Sequence, residues 1–129
     1  MILLDTHVLV WLALAPGKLS KNAKQAIQAE RRTGVLAISG ISLWELAWLV
    51  ENGRIETNVG VEAFVREAVS KTRVLPITPA VAARAVSFPD TYPKDPQDRI
   101  IGATALTEGI ALLTHDRLIR KSGLIRTIW

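Results

Sequence analysis

The sequence predicts an α/β fold in three layers, a mainly parallel central sheet of about five strands flanked by helices. Three observations carry this expectation. Short apolar runs alternate with longer segments of helical period, the pattern of parallel strands joined by right-handed helical crossovers. At 129 residues the chain has the size of one domain, so residues 1–129 are read as a single unit. Apolar residues make up 49% against 22% charged, enough to cover a sheet on both faces and too apolar for a disordered chain.

The elements follow in order. Ile2-Leu3-Leu4 is the first strand, and Val8, Leu9, Trp11 and Leu12 mark a short helix that stops before Pro16-Gly17. Ser20 caps a helix running to about Arg32, which Gly34 ends. Val35 to Ser39 reads as the second strand, and Ser42 to Asn52 as a helix closed by Gly53. An amphipathic helix carrying Val61, Phe64, Val65, Ala68 and Val69 on one face comes next. Val74 to Ile77 is a brief strand, and Thr78-Pro79 opens a helix with proline at its tolerated first position. Phe88 to Pro96 is the only sizeable loop expected. A helix from about Pro96 to Glu108 ends at Gly109, Ile110 to Thr114 forms the fourth strand, Arg117 to Lys121 a helical turn, and Leu124 to Trp129 a fifth strand.

Composition removes several classes of function. With no cysteine there are no disulfides, thiolate nucleophiles or Cys-ligated metals, and two histidines, His7 and His115, make a poor zinc set. No P-loop or dinucleotide fingerprint occurs. The apolar run Val8 to Ala15 ends in a small-residue triplet, but no Lys or Arg precedes it and Asp5 heads it. It is therefore not read as a secretory signal, and a cytoplasmic protein without membrane spans is expected. The net charge is +4, and the stretch from Asp116 to the end carries a local +3 through Arg117, Arg120, Lys121 and Arg126, which suits a polyanion.

Acids sit where the crossovers turn. Asp5 follows the first strand, Glu45 lies in the first turn after the second, Asp95 and Asp98 open the helix before the fourth, and Asp116 follows the fourth. In a parallel sheet these positions share the carboxyl edge, where ligands bind. Each also has a capping role open to it: Ser42 with Glu45 matches a capping box, and Asp5, Asp95 and Asp116 each precede a helix. Capping alone does not call for an acid at nearly every crossover. Carboxylates crowded at one mouth raise each other's pKa unless a cation is present, and an all-oxygen set selects Mg²⁺ or Mn²⁺, the ions of phosphoryl chemistry.

The blocks Ile2-Leu3-Leu4-Asp5-Thr6, Ser42-Leu43-Trp44-Glu45-Leu46, Asp95-Pro96-Gln97-Asp98-Arg99 with Ala103, and Leu113-Thr114-His115-Asp116, in this order, resemble a PIN-domain nuclease. Within that family the chain is similar to VapC-type ribonuclease toxins of toxin-antitoxin pairs. The resemblance spans residues 2 to 129. It implies a PIN-like fold and a metal-dependent endoribonuclease that uses metal-activated water and leaves 5′-phosphate and 3′-hydroxyl ends. The catalytic, metal-holding acids it implies are Asp5, Glu45, Asp98 and Asp116, with Mg²⁺ or Mn²⁺ as cofactor. Asp95 competes with Asp98 for the third place; it is read as the cap that aims Asp98 inward, with Arg99 pairing with a neighbouring carboxylate or a phosphate. Thr6 and Thr114 match positions where a hydroxyl orients an acid or water, and neither histidine is expected to be essential.

RNA is expected to be held by phosphate contacts, with Arg117, Arg120 and Lys121 as candidates, and by shape more than by base stacking, since aromatic residues are only 5% of the chain. The helix from Ser42 to Asn52 leaves almost no polar face and is expected to be buried on all sides, with Trp44 and Trp48 completing their burial against another chain or under neighbouring helices. The resemblance favours a homodimer whose subunits each bind an antitoxin, with a basic side chain reaching the carboxylates. Three other readings stand beside the nuclease: a phosphatase with an aspartate nucleophile, which lacks its second Asp where His7 stands; a receiver-like signalling domain, which lacks a lysine after the last strand; and a non-catalytic module with an acidic pocket.

Overall fold

The computed structural model describes all of residues 1–129. Five strands, β1 (Ile2–Leu4), β2 (Leu36–Ser39), β3 (Arg73–Leu75), β4 (Leu112–Leu113) and β5 (Thr127–Ile128), form one sheet of order β3-β2-β1-β4-β5. Every neighbouring pair is parallel. Seven helices cover it: α1 (Thr6–Leu14), α2 (Lys21–Thr33), α3 (Gly40–Glu51), α4 (Val61–Ala68), α5 (Pro79–Val86), α6 (Pro96–Glu108) and α7 (Arg117–Ser122).

Strand periodicity divides the core in two. In β1, Leu3 faces one layer while Ile2 and Leu4 face the other, and β2 repeats this with Ala37 against Leu36 and Ile38. Leu112 and Leu113 do the same in β4. One layer is completed by Val81 and Ala85 of α5, Ile101, Ala103 and Ala105 of α6, and Ile119 of α7. The other is completed by Val8 and Leu9 of α1, Ala23 and Ile27 of α2, and Leu46 of α3. The chain moves outward from β1 through β2 to β3, then returns to the other side of β1 for β4 and β5. This reversal opens a crevice at the carboxyl ends of β1 and its neighbours.

Capping explains most boundaries. Ser20 accepts from the Ala23 N–H, Thr78 from Val81 with Pro79 at the first helical position, and Gly109 takes the left-handed conformation (φ 67°) that ends α6. Three expectations need correction. Helix α3 starts at Gly40 directly from the strand, and its cap is Ser39, whose hydroxyl accepts from Ile41 N–H at 3.3 Å; Ser42 lies inside the helix and is fully buried. A second connection, 52–60, joins α3 to α4, so the 88–96 segment is not the only long loop. Nor is α3 buried all round: Trp44 is 51% and Trp48 42% exposed. No helix is long and apolar enough to cross a membrane.

The 88–96 loop is fixed rather than loose. Tyr92, 1% exposed, packs edge-on against Phe88 at 4.8 Å between ring centres, and its hydroxyl donates to the Asp98 carbonyl at 3.0 Å. Gly102 makes room for that phenol, because a Cβ there would overlap the Tyr92 hydroxyl. Gly102→Ala is therefore expected to lose about 1–3 kcal/mol of stability by overpacking despite its better helix propensity. Chemical denaturation should show the loss, and adding Tyr92→Phe should recover part of it.

Candidate active site

The site is anchored by Asp5, which follows the central strand and is 5% exposed. Its backbone N–H continues the ladder to the Leu113 carbonyl at 3.0 Å, so the sheet itself fixes the side chain's origin. Oδ1 accepts the Thr6 N–H at 2.9 Å as the cap of α1, and Oδ2 accepts the Thr114 hydroxyl at 2.7 Å. Thr114 Oγ1 also accepts the Asp116 N–H at 3.0 Å, tying the acid after β4 to the acid after β1. Asp116 caps α7 through Oδ1, which accepts from Ile119 N–H at 3.0 Å.

A second relay reaches Glu45. Thr6 Oγ1 donates to Glu45 Oε1 at 2.8 Å and lies 2.8 Å from Ser42 Oγ. With Glu45 ionised, the single Thr6 proton goes to the carboxylate, so Ser42 donates to Thr6. The sequence offered Ser42 as a cap; its place in this relay was hidden, because nothing local couples positions 6 and 42.

Asp98 enters from the first turn of α6, half-buried, beside the exposed Asp95. Asp95 Oδ1 caps the helix, accepting from the Gln97 and Asp98 N–H groups at 2.8 and 3.4 Å. Arg99 departs from expectation. It pairs with no carboxylate; its guanidinium donates to the carbonyls of Pro93, Phe88 and Pro89 at 3.0, 2.7 and 3.3 Å, strapping the loop to α6. Its donors are taken up by three loop carbonyls.

The charges show what is missing. No Lys or Arg pairs with Asp5, Glu45, Asp95, Asp98 or Asp116; the one basic side chain within ion-pair distance of these acids is His7, whose Nδ1 is 3.6 Å from Asp5 Oδ2. Burial first, and then the charges of Asp5, Asp95, Asp116 and Glu45, push Asp98 up to about 7. Burial likewise pushes Glu45 up to about 7, with Asp5 and Asp95 adding to it and the Thr6 hydrogen bond opposing it. His7 is lowered, by burial first, and its Nε2 accepts the His115 N–H at 3.1 Å, which leaves Nδ1 to carry the proton toward Asp5. No three acidic or histidine side chains converge closely enough to surround one ion.

The comparisons with known proteins give the family. The PIN domain family model matches residues 2–123. The chain belongs to the PIN-domain family. Ribonuclease VapC22 of Mycobacterium tuberculosis is 42% identical over 130 residues, spanning 99% of this chain and 98% of that one. Among solved structures, a DNA-bound VapBC from Salmonella typhimurium superposes with a TM-score of 0.72 at 20% identity, over 98% of this chain and 97% of that chain. A toxin-antitoxin complex from Klebsiella pneumoniae gives 0.63 at 27% identity, over 90% and 87%. The five-stranded parallel sheet is thus the PIN fold, as the sequence predicts.

Within this PIN domain the raised carboxylates set the pH response of the metal-free protein. Both folded-state values lie above those of the unfolded chain, so the native state binds more protons between about pH 4 and 7. Stability from these groups is full below the unfolded values and is lost as pH rises through about 7. Thermal unfolding in a chelator should therefore show Tm falling from pH 5 to pH 8. Asp98→Asn should flatten the fall by on the order of 1 kcal/mol, discounted for its partial exposure.

Proposed function

We propose that this PIN domain is an endoribonuclease that cleaves RNA phosphodiester bonds with Mg²⁺ or Mn²⁺, and that it acts as the toxin of a toxin-antitoxin pair. The observation that carries this reading is the ring of Asp5, Glu45, Asp98 and Asp116, supplied by separate crossovers to one sheet edge with no cationic side chain to balance them. The donor set is all oxygen and fits a hard divalent cation. When bound, such an ion lowers the pKa of water and neutralises charge on a phosphate. The relative's name, ribonuclease, supports RNA as the substrate.

The chain's own part is positioning. Thr114 holds Asp5 and the backbone of Asp116 together, and the Ser42-Thr6 pair holds Glu45. Asp95 caps α6 and so fixes the first turn that carries Asp98, which supports Asp98 as the third acid of the site. Ring nitrogens of His7 are already engaged by Asp5 and the His115 N–H, so His7 is not assigned acid-base work. Arg117, Arg120 and Lys121, exposed and unpaired on or beside α7, provide phosphate contacts.

The same uncompensated charge invites a basic side chain from an antitoxin, and the toxin-antitoxin complex among the structural neighbours supports that partner. Exposed Trp44 and Trp48 on α3 support self-association, since two adjacent indoles left half in water favour burial against another chain.

Two experiments test these statements. Asp5→Asn, Glu45→Gln, Asp98→Asn and Asp116→Asn should each reduce RNA cleavage by about two or more orders of magnitude while the fold persists, and EDTA should abolish cleavage in the unmodified protein. Cleavage that survives EDTA, or that leaves 2′,3′-cyclic phosphate ends, rejects the metal-dependent reading. Light scattering at micromolar concentration should report a dimer, and Trp44→Ser with Trp48→Ser should shift it to monomer.

A further inference from the structure

The site is bordered by an aromatic cluster that composition does not reveal. His7 and Trp11 lie one turn apart on α1, His115 follows β4, and Trp129 follows β5. Their ring centres lie 4.9 Å apart for His7 and Trp11, 5.4 Å for Trp11 and His115, and 5.1 Å for His115 and Trp129, all edge-to-face. Trp11 and Trp129 are 5.9 Å apart. The backbone fixes the assembly: His115 N–H donates to His7 Nε2, and the Trp129 carbonyl accepts from Asn22 Nδ2 at 3.2 Å. Lys18 places its ammonium 5.5 Å from the Trp11 ring centre.

Packing accounts for only part of this. Trp11 and Trp129 lean on the apolar layer beneath α1 and α2, but neither is buried, and His115 is exposed although it is held among three other rings. His7 lies two residues after Asp5 and His115 one before Asp116, so the rings border the carboxylates directly. The charges beside the rings are the Asp5 and Asp116 carboxylates and the Lys18 ammonium, and Arg117 follows Asp116 in sequence. The other exposed aromatic pair differs in this respect. The cleft of about 340 Å³ beside Trp44 and Trp48 is lined by no cation, whereas Lys18 stands by Trp11.

We propose that His7, Trp11, His115 and Trp129, with Lys18, form a platform that takes an unpaired nucleobase next to the phosphate at the acid site. The reading of the polymer as RNA rests on the function proposed above; the platform itself rests on the rings. Partly exposed aromatic rings beside cations are the combination that holds single strands, because every base has a π-face and every linkage a charge; here His115 is the exposed ring, and Lys18 lies over Trp11. Paired bases have no free face to offer, so the platform selects single-stranded over duplex segments.

The test uses a nucleotide that cannot be cleaved further. Titration of the full chain with AMP, followed by NMR, should shift the His115 ring and the Trp11 and Trp129 indole resonances and leave those of Trp44 and Trp48 in place. Ribose 5-phosphate, which has the phosphate but no base, should leave these rings nearly unmoved. His115→Ala should weaken AMP binding by about tenfold, whereas His115→Phe should stay within about twofold. In cleavage of single-stranded RNA, His115→Ala should raise KM with kcat little changed. Equal shifts from AMP and ribose 5-phosphate, undiminished AMP binding by His115→Ala, or ring shifts that appear only on self-association at higher protein concentration would overturn the platform. The last result would assign the rings to a protein contact. AMP docking on these rings in a protein that fails to cleave RNA would retain the platform and remove the ribonuclease reading.

Discussion

Asp5 is buried at the end of the central strand, and the site is organised by the need to keep a carboxylate there. A buried acid without partners is costly, so its oxygens are satisfied by the Thr6 N–H and the Thr114 hydroxyl, one from the helix it caps and one from the neighbouring strand. Those two bonds occupy the local donors. No guanidinium or ammonium completes the neutralisation, and the remaining acids are placed where they add to the field rather than relieve it. Raised Asp98 and Glu45 follow from burial and from this shared charge. A fold that served only stability would place a cation here; its absence is the physical basis for reading the edge as a site.

The topology makes the crowding possible. Because the order reverses at β1, chain leaving β1 and chain leaving β4 depart from adjacent strands, and Asp5 and Asp116 become neighbours though 111 positions separate them. Register then does the fine placement. Leu4 pairs with Leu113, so Asp5 and Thr114 stand side by side and the hydroxyl reaches the carboxylate without a loop between them. Helix α6 brings Asp98 from the opposite layer, held by a loop that Arg99 and Tyr92 fasten to it.

What could be read from the sequence, and what could not, follows the range of each interaction. Ser20, Thr78, Asp95 and Gly109 act over three or four residues, and their roles as helix signals were legible. So was the placement of acids after strands, because parallel topology sends every crossover to the same edge. Ser42 was misread as a cap because a Ser three residues before a Glu has the same local pattern whether the helix begins there or earlier. The strand running straight into α3 decided it, with Ser39 taking the cap. The carboxylate pairing expected of Arg99 is absent because the carbonyls it takes belong to a loop whose course no local pattern encodes. The aromatic cluster joins residues from positions 7 to 129, and a 5% aromatic content gives no hint that four of the rings in and around it converge, two of them histidines outside that count.

Helix caps and candidate ligands were competing explanations for these acids, and the geometry removes the competition. A carboxylate has about four acceptor positions on two oxygens, so one N–H at a helix start uses only a fraction of its capacity. Asp116 Oδ1 accepts from the Ile119 N–H and Asp5 Oδ1 from the Thr6 N–H; the capping bond orients each group and leaves the second oxygen for other partners, which for Asp5 is the Thr114 hydroxyl. Ser, Thr or Asn would cap as well but would bring no charge. An acid at a crossover therefore does two things at once: it fixes the first turn of the helix, and through that turn it fixes its own position. The same bond that stabilises the fold supplies the rigidity that a cluster of like charges otherwise lacks.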